Sequence, residues 1–338
     1  MSAVGCATCA VVVNWNGWRD TLVCLDSLLA LEGTPLRVVL CDNGSTDGSA
    51  EQIRDFLHER LSSWRAAEGE PGFAHPDPRA GVLAVHLLRL PRNLGYAGAL
   101  NAGIAWARER WSPHAYWLLN NDVEAQPGAL DALVAAHGSV PDAGICGSVL
   151  LDWDEPGRVR AVAGKYCRWL GVGWHDSELR PGLGNVRLEL DYPLGASMYV
   201  TAAYLDRVGL IDPAYFLFCE EMDWSERGRR RGLRPLVALD SRLRHKEGAS
   251  TGSRHGAQGS RGGARSKSLL AERYGVLSRL RITRKLWPRY LPLVWCSLLV
   301  VVFERLLHGE VARAWLVLRL MFAPAQWLRA SGPAQPRS

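Results

Sequence analysis

Short apolar runs that alternate with amphipathic helices constrain the fold of this chain more than any other feature. The runs CAVVVN, LRVVLCD and AYWLLNND occupy residues 9–14, 36–42 and 115–122. A strand that is buried on both faces of a parallel sheet has such a nearly continuous apolar run. Leucines at helical spacing predict a helix over residues 20–31, and a second helix begins near Ser49. This strand–helix order predicts an α/β fold with a doubly wound, mixed sheet.

The domain organisation follows from the length of the chain and from two segments of biased composition. A chain of 338 residues can form one large α/β domain with an appendage. Residues 68–80 are rich in Pro, Gly and charged side chains, which predicts a surface insertion. Residues 246–267 are rich in Gly, Ser and Arg, which predicts a mobile loop. We therefore expect a main domain over residues 1–266 and C-terminal helices over residues 267–338.

An uncharged apolar segment, LPLVWCSLLVVVF, runs from Leu291 to Phe303. It is shorter than the roughly 20 residues that a membrane-spanning helix requires. Trp315 and Arg319 follow in a second apolar stretch, and such residues anchor helices at a membrane interface. Two interpretations stay open. The segment forms helices that lie on a membrane surface, or it forms a hydrophobic hairpin that packs on the main domain or on a second subunit of a homodimer.

The net charge of +6 is concentrated in basic clusters at residues 229–231 and 254–289. Such clusters attract phosphate-bearing substrates, anionic lipid or nucleic acid. The sequence contains neither zinc-finger spacing nor an RNA-binding signature, which argues against nucleic acid. The eight cysteines lie mostly in apolar stretches, as buried thiols of a reducing compartment do, and the chain does not open on a basic signal-peptide region. We expect a cytoplasmic protein that is peripheral at the inner face of the cytoplasmic membrane.

The third apolar run delivers Asn120, Asn121 and Asp122 to the end of its strand. In α/β sheets, ligands gather beyond the carboxyl ends of the strands. Asp122 offers a carboxylate oxygen and Asn120 a carbonyl oxygen, which are ligand types that suit Mg²⁺ or Mn²⁺. Residues two apart on an extended chain point the same way, so both can face one cation. The alternative is a turn in which Asn and Asp serve only the backbone.

Seven short segments occur in an order that identifies a family resemblance. They are VVVNWNG, CDNGSTDGS, NLGYAGALNAG, LLNND, GAS, CEEMDW and HKEGAST, and they extend over roughly residues 8–285. The chain resembles the inverting family 2 glycosyltransferases, and among them the bacterial rhamnosyltransferase branch that works on cell-wall or surface polysaccharide. The resemblance implies the GT-A fold with a Rossmann-like nucleotide-binding half. It also implies transfer of a sugar from a nucleotide-sugar donor to a hydroxyl group.

The resemblance implies that side chains at the strand ends meet the nucleoside of the donor. Glycines near a helix amino terminus let the backbone approach the diphosphate. The donor-binding residues predicted in this way are Asn14, Asp42, Asn43, Gly95, Asn101 and Asn121. A role confined to the turn is the alternative for Asn43. The glycine segment is not G-x-G-x-x-G, which argues against a dinucleotide-binding oxidoreductase.

LLNND resembles the Asp-x-Asp motif that binds the metal ion in this family. Asp122 matches the last acid, Asn120 replaces the first, and His245 resembles a late histidine that reaches the metal or the diphosphate. The resemblance therefore implies a Mg²⁺ or Mn²⁺ cofactor. Because Asn is a poorer ligand than Asp, Asp122 is the predicted direct ligand and the role of Asn120 stays open. A structural role is the alternative for His245.

CEEMDW resembles the segment that supplies the catalytic base of the family, whose second acid is the usual base. That position is Glu221, followed in our order of preference by Asp223 and then Glu220. Acidic residues are also favoured at helix amino termini by the helix dipole, which is the alternative role for the two glutamates. Glu in place of Asp lengthens the side chain by one methylene.

Two further segments are predicted to contact the sugar or the acceptor. They are the GAS segment, which consists of Gly195, Ala196 and Ser197, and the residue Trp224. Packing in the core is an equal alternative for Trp224. The resemblance implies dTDP-rhamnose as the donor and a lipid-linked or polysaccharide acceptor. Galactofuranose or another hexose from a UDP-linked donor is the alternative.

Other classes of function are weighed by what the sequence lacks. A nucleotidyltransferase or an NAD-linked oxidoreductase needs a glycine fingerprint that this chain does not contain. A processive synthase of the cellulose or hyaluronan kind needs a QxxRW motif, and Gln326 followed by Trp327 does not match it. A membrane-docked partner subunit without activity is permitted by the departures from the family motifs at Asn120 and Glu221.

Overall fold

A mixed twelve-stranded sheet forms the centre of the fold in the part of the chain that the computed structural model describes, residues 8–66, 72–77, 80–246 and 268–322. The strands are β1 (Thr8–Asn14), β2 (Leu36–Asp42), β3 (Arg65–Ala66), β4 (Gly72–Ala74), β5 (Val82–Arg89), β6 (Ala115–Asn120), β7 (Val123–Ala125), β8 (Ala143–Asp152), β9 (Val159–Ala161), β10 (Ala163–Cys167), β11 (Val172–Asp176), β12 (Val186–Arg187), β13 (Ser197–Thr201) and β14 (Arg234–His245). The strands β10 and β11 form a separate antiparallel hairpin.

Helices cover the sheet and continue beyond it. They are α1 (Trp18–Leu29), α2 (Ser49–Arg60), α3 (Gly95–Trp111), α4 (Ala129–Ser139), α5 (Ala202–Val208), α6 (Glu220–Arg229), α7 (Leu269–Leu286), α8 (Leu291–Leu307) and α9 (Val311–Met321). The strand order is β12-β14-β8-β13-β6-β1-β2-β5-β4-β3. β1 is parallel to β2 and β6, whereas β13 is antiparallel to β6 and β8. The predicted doubly wound, mixed sheet with C-terminal helices is confirmed.

Each face of the sheet has its own hydrophobic core. Side chains alternate along β1, so Ala10 and Val12 lie in the cluster that α1, α2 and α4 cover, while Val11 lies in the cluster that α3 covers. α3 approaches closely because Gly103 has no side chain: a Cβ there would lie 2.4 Å from Val11 Cγ1. The apolar runs are therefore buried on both faces, as their composition predicts.

Some predicted boundaries differ from the structure. α1 begins at Trp18 and ends at Leu29, about one half turn before the predicted bounds, because the turn that precedes it ends at Gly17. The predicted insertion at residues 68–80 contributes β4, which pairs with β5 and extends the edge of the sheet. Residues 247–267, which make up nearly all of the predicted mobile loop, lie outside the described residues.

The C-terminal helices pack on the main domain through one hydrophobic cluster. Phe216, from the loop before α6, shares this cluster with Leu277 of α7, Val294 of α8 and Val317 of α9. The helical stretch Pro288–Leu307 has 20 residues, and an 18-residue window within it has a mean hydropathy of 1.8. It is longer than the sequence pattern predicts, because the helix continues through charged residues after Phe303. Its length and composition suffice to cross a membrane, although one such helix does not establish a span.

Candidate active site

Three neighbouring strands end in a buried polar network. β6, β1 and β2 lie side by side, so Asn121, Asn14 and Asp42 meet at one edge of the sheet. Asn14 Nδ2 donates to Asp42 Oδ1 at 2.8 Å, and Asn14 Oδ1 accepts from Asn121 Nδ2 at 3.3 Å. Thr21 Oγ1 donates to Asn14 Oδ1 at 2.9 Å, and Ser45 Oγ donates to Asp42 Oδ1 at 2.5 Å. The network fixes Asp42 at the strand end where the sequence predicts ligand binding.

The loop before α3 is held by Asn43. Its side-chain oxygen accepts from the Leu94 backbone at 2.9 Å, and its side-chain nitrogen donates to the Gly95 carbonyl at 3.3 Å. Gly95 has a φ of 75°, and a Cβ there would lie 2.7 Å from the Phe216 carbonyl oxygen. The contact with Phe216 and the left-handed backbone are sufficient to require glycine at this position.

Asp122 and His245 face each other where β14 returns beside β7. Asp122 Oδ1 and His245 Nε2 are 3.2 Å apart without hydrogen-bond geometry, and neither atom has a hydrogen-bond partner among the described residues. Burial raises the pKa of the Asp122 carboxyl, but the nearby His245, the backbone and Asn120 outweigh burial, so the net pKa is lowered. Asp122 is therefore ionised at neutral pH.

The two unpaired atoms fit a divalent cation. Neighbouring ligands of an octahedral ion with bonds of about 2.1 Å lie about 3 Å apart. Asp122 Oδ1 and His245 Nε2 have this separation, and Asn120 lies near enough to Asp122 to lower its pKa. Among the described residues, no group of three or more His, Cys, Asp or Glu side chains is placed to hold a metal ion. A cation at this position takes its remaining ligands from water or from an anionic ligand.

Two adjacent glutamates begin α6. Glu220 is buried, whereas Glu221 is partly exposed. The Oε2 atom of each has no hydrogen-bond partner among the described residues. Burial raises the pKa of Glu221 to about 7, and burial together with the charge of Glu221 raises the pKa of Glu220 well above its ordinary value. Glu221 can therefore accept a proton near neutral pH.

Asp223 has a different environment from the two glutamates. It is fully buried, and its carboxylate lies 2.8 Å from Arg227 Nε and 2.8 Å from Lys285 Nζ. Two cations compensate its charge, as a buried carboxylate requires. Lys285 belongs to α7, so the ion pair ties α7 to α6. Among the three predicted acids, this leaves Glu221 as the one that combines partial exposure with an unpaired oxygen.

Tyr96, in the first turn of α3, contacts the GAS segment next to Glu221. Its hydroxyl donates to the Gly195 carbonyl at 2.7 Å, and a Cβ on Gly195 would lie 3.9 Å from the Glu221 carboxyl carbon. Burial raises the pKa of Tyr96 well above its ordinary value, and the charges of Glu220, Glu221 and Asp122 raise it further. The sequence pattern does not single out Tyr96, and its place within NLGYAGALNAG is the available signal.

Several predicted site residues are used inside the fold. The Ala196 carbonyl accepts from the Asn120 backbone at 3.2 Å. Asn101 donates to a backbone carbonyl after α5 at 2.7 Å, and its Oδ1 is buried without a partner in the described part of the chain. Ser197 is buried and accepts from an indole at 2.9 Å. Trp224 is fully buried and donates to a backbone carbonyl at 2.9 Å, so it occupies the core in place of the predicted stacking contact with a sugar.

Sequence comparisons relate this arrangement to known proteins. The family described as Glycosyl transferase family 2 matches residues 9–74 and 79–172. The N-acetylglucosaminyl-diphospho-decaprenol L-rhamnosyltransferase of Mycobacterium tuberculosis is 27% identical over 248 residues, which cover 68% of this chain and 72% of that protein.

Solved structures share the fold. The mannosyltransferase PcManGT from Pyrobaculum calidifontis, solved with GDP-Man and Mn²⁺, superposes with a TM-score of 0.50 over 93% of this chain and 85% of its own, at 13% identity. GalNAc-T7, solved with UDP, GalNAc and Mn²⁺, superposes with a TM-score of 0.58 over 84% of this chain, at 15% identity. The chain spans about half, 48%, of the GalNAc-T7 structure.

Proposed function

This chain belongs to glycosyl transferase family 2 and is a glycosyltransferase with the GT-A fold, and we propose that it transfers rhamnose from dTDP-rhamnose to a hydroxyl of a lipid-linked glycan. The observation that carries the proposal is the position of the GAS segment between the two groups of candidate residues. Its Ala196 carbonyl accepts from the Asn120 backbone at 3.2 Å, and its Gly195 lies beside the Glu221 carboxyl group. The rhamnosyltransferase relative supports the choice of sugar and acceptor. A UDP-hexose or galactofuranose donor is the alternative for the same site.

At the donor end, the strand-end network offers a rigid set of polar groups to the nucleoside. We assign Asp42 to this role, with Asn14 and Asn121 holding it in place through the hydrogen bonds of the network. Asp42 Oδ2 accepts only a long bond of 3.4 Å from the Ser45 backbone among the described residues, which leaves it able to accept from a ribose or base donor.

Asp122 and His245 would hold a Mg²⁺ or Mn²⁺ ion, with Asn120 beside them. Such an ion neutralises charge on the departing diphosphate, so that no general acid is needed at the leaving group. The residues of this chain contribute an ionised carboxylate and an imidazole nitrogen that have no other hydrogen-bond partner in the described part of the chain. A carboxylate oxygen suits both metals, and the softer imidazole nitrogen favours Mn²⁺ over Mg²⁺.

Glu221 takes the proton of the acceptor hydroxyl as that oxygen attacks the sugar from the face opposite to the diphosphate. Burial and the charge of Glu221 raise the pKa of Glu220, which disfavours ionisation of both acids at once. The longer side chain of Glu, compared with the Asp of the family motif, finds room beside Gly195, where a Cβ would already lie 3.9 Å from the Glu221 carboxyl carbon.

Asp122 also argues against a partner subunit without activity. A buried carboxylate that lacks a hydrogen-bond partner reduces the stability of the fold. Asp122 is buried and ionised, and its Oδ1 has no hydrogen-bond partner among the described residues. A chain that serves only as a scaffold gains nothing from keeping this atom unpaired, whereas an enzyme uses it.

Turnover is expected to rise with pH through about 7 and then to level off. Glu221 acts in its charged form, and its pKa is raised by burial from an ordinary value of 4.5 to about 7, so that protonation removes the base below neutrality. The measurement is kcat at saturating donor across the pH range, with Tm recorded at each pH. If kcat instead stayed constant until the pH fell to the ordinary carboxyl pKa of 4.5, the assignment of Glu221 as the base would be contradicted.

Purified protein is expected to release dTDP from dTDP-rhamnose in the presence of Mn²⁺ and an acceptor. A thermal-shift series identifies the donor, because a ligand at about 100 times its Kd adds about 2.7 kcal/mol to the free energy of unfolding. We expect dTDP-rhamnose to raise Tm more than UDP-glucose or UDP-galactofuranose, with dTDP-glucose as the control for the nucleotide. A larger increase in Tm with a UDP-linked sugar would identify that sugar, and not dTDP-rhamnose, as the donor.

A further inference from the structure

The outer face of α8 is apolar and uncovered in the described structure. Six side chains that are between 48% and 70% exposed form it: Leu293, Leu299, Val300, Phe303, Leu306 and Leu307. The opposite side of the helix carries Val294 and Leu298, which are buried in the cluster shared with α7 and α9. On α9, Trp315 and Val311 are each 63% exposed and add to the apolar surface of this helical hairpin. Exposed apolar surface of this extent marks an interaction site.

The helices that carry this face are strongly basic. Residues 268–322 contain nine Lys or Arg and three Glu, so their surplus equals the formal charge of the whole chain, +6. Glu272 is paired with Arg305 and Arg313, and Glu310 is paired with Arg305. Positive charge beside exposed apolar side chains complements an anionic lipid surface. The same net positive charge of the helices disfavours their association with a second copy.

Charged side chains on the inner side of α8 limit the orientations that this helix can take in a membrane. Arg305 Nε is 3.0 Å from Glu272 of α7, and Arg305 Nη1 is 2.7 Å from Glu310. Arg313 of α9 also pairs with Glu272, which is buried. If α8 crossed a bilayer with α7 still packed on it, Arg279 of α7, which donates to Ser297 near the middle of α8, would enter the hydrocarbon, where charged side chains are strongly disfavoured. The helix therefore fits the plane of a membrane interface better than a transmembrane orientation.

The hairpin of β10 and β11 extends the apolar surface toward the candidate active site. The Leu170 carbonyl at its tip accepts from Arg279 of α7 at 3.1 Å and from Ser297 of α8 at 3.2 Å. Trp169 at the tip and Trp174 on β11 are 54% and 53% exposed. Indole side chains are enriched at membrane–water interfaces. The tip is thus held against α8 with exposed indoles beside it.

We propose that the outer face of α8, the exposed side of α9 and the tip of the hairpin form one surface that binds an anionic phospholipid bilayer, with α8 lying in the interfacial plane. At the other end of the hairpin, the Gly164 backbone N–H donates to the Tyr192 carbonyl at 2.9 Å. Tyr192 shares a hydrophobic cluster with Met222 of α6, so the hairpin connects the proposed surface with the helix that carries Glu221. Bilayer binding is independent of the sugar transferred, and only its bearing on a lipid-linked acceptor rests on the proposed function.

Cosedimentation of the full chain with lipid vesicles tests this surface. Vesicles of phosphatidylcholine with about 30% phosphatidylglycerol are expected to bind the protein at least about tenfold more tightly than pure phosphatidylcholine, and added salt is expected to weaken the binding. The double variant Phe303→Ser, Leu307→Ser is expected to lower binding by about tenfold or more, since it removes apolar contact area. Val23→Ser, at an exposed apolar position on α1, is the matched control and should bind as the wild type does.

A second variant and a second readout separate the outcomes. Trp169→Ser is expected to weaken vesicle binding through the hairpin alone, without touching α8. Equal binding to neutral and anionic vesicles, or undiminished binding by the double variant, would overturn the proposal. So would a wild-type dimer in light scattering that the double variant converts to a monomer, because the face would then belong to a second copy. Transfer to a soluble acceptor should survive in the double variant, which distinguishes failure of this surface from failure of the proposed function.

Discussion

Glu221→Gln is expected to lower turnover by roughly 10²–10⁴-fold while donor binding is largely kept, because that is the usual contribution of a positioned base. The amide preserves the size of the side chain but cannot take a proton. Glu221 is partly exposed, carries an oxygen without a partner among the described residues and lies beside Gly195. The measurements are kcat and the donor Kd, since a loss confined to kcat identifies an interaction made in the transition state.

The other two acids of α6 serve as controls for this prediction. Glu220 is buried whereas Glu221 is partly exposed, so Glu220→Gln should change turnover far less than Glu221→Gln. Asp223→Asn removes the charge that compensates Arg227 and Lys285, and breaking such a buried pair costs roughly 3–5 kcal/mol of stability. Its main effect should therefore be a lower Tm. Unchanged turnover in Glu221→Gln, with a large loss in Asp223→Asn at an unaltered Tm, would move the base to Asp223.

The strand ends could be predicted from the sequence because a two-sided strand stays apolar until it leaves the sheet. The predicted strand over residues 36–42 has the bounds of β2, and its last residue is Asp42. Parallel strands finish at the same edge, so Asn14, Asp42 and Asn121 had to approach one another. The hydrogen bonds among them show how close they come. By contrast, the acids of α6 were predicted as site residues only from the family resemblance, because no local sequence pattern predicts that this helix lies at the same edge of the sheet.

Other features depend on contacts between distant segments, which local patterns do not contain. Tyr96 acquires its place from a hydrogen bond to Gly195, and Trp224 turns inward because α6 packs against the cluster that α3 covers. The length of α8 was underestimated for a related reason. Charged residues after Phe303 interrupt the apolar run but not the helix, since Arg305 finds a partner in Glu272 of α7. Sequence periodicity predicts a single strand or helix, whereas the positions of Tyr96, Trp224 and Arg305 depend on contacts between two such elements.

Asp122→Asn is expected to lower Mn²⁺-dependent turnover by roughly 10²–10³-fold. The substitution preserves the shape of the side chain but replaces an ionised carboxylate, whose lowered pKa keeps it charged at neutral pH, by a neutral amide. A hard divalent cation prefers the carboxylate oxygen. Metal-bound charge stabilisation amounts to several kcal/mol in the transition state, and about 1.36 kcal/mol corresponds to a factor of ten in rate. The measurements are kcat over a Mn²⁺ series and the Mn²⁺ Kd in the presence of dTDP.

Companion variants distinguish a ligand from a neighbour. His245→Ala should weaken Mn²⁺ binding by about tenfold or more if Nε2 is a ligand, because the imidazole lies 3.2 Å from Asp122 and has no hydrogen-bond partner among the described residues. Asn120→Ala should weaken it less, since an amide oxygen is the poorer ligand. Asp47→Asn is the matched control, because that acid is exposed and caps the turn before α2 by accepting from Ser49. Wild-type Mn²⁺ affinity in both Asp122→Asn and His245→Ala would show that the cation binds elsewhere, and the proposed charge neutralisation at this strand end would fall with it.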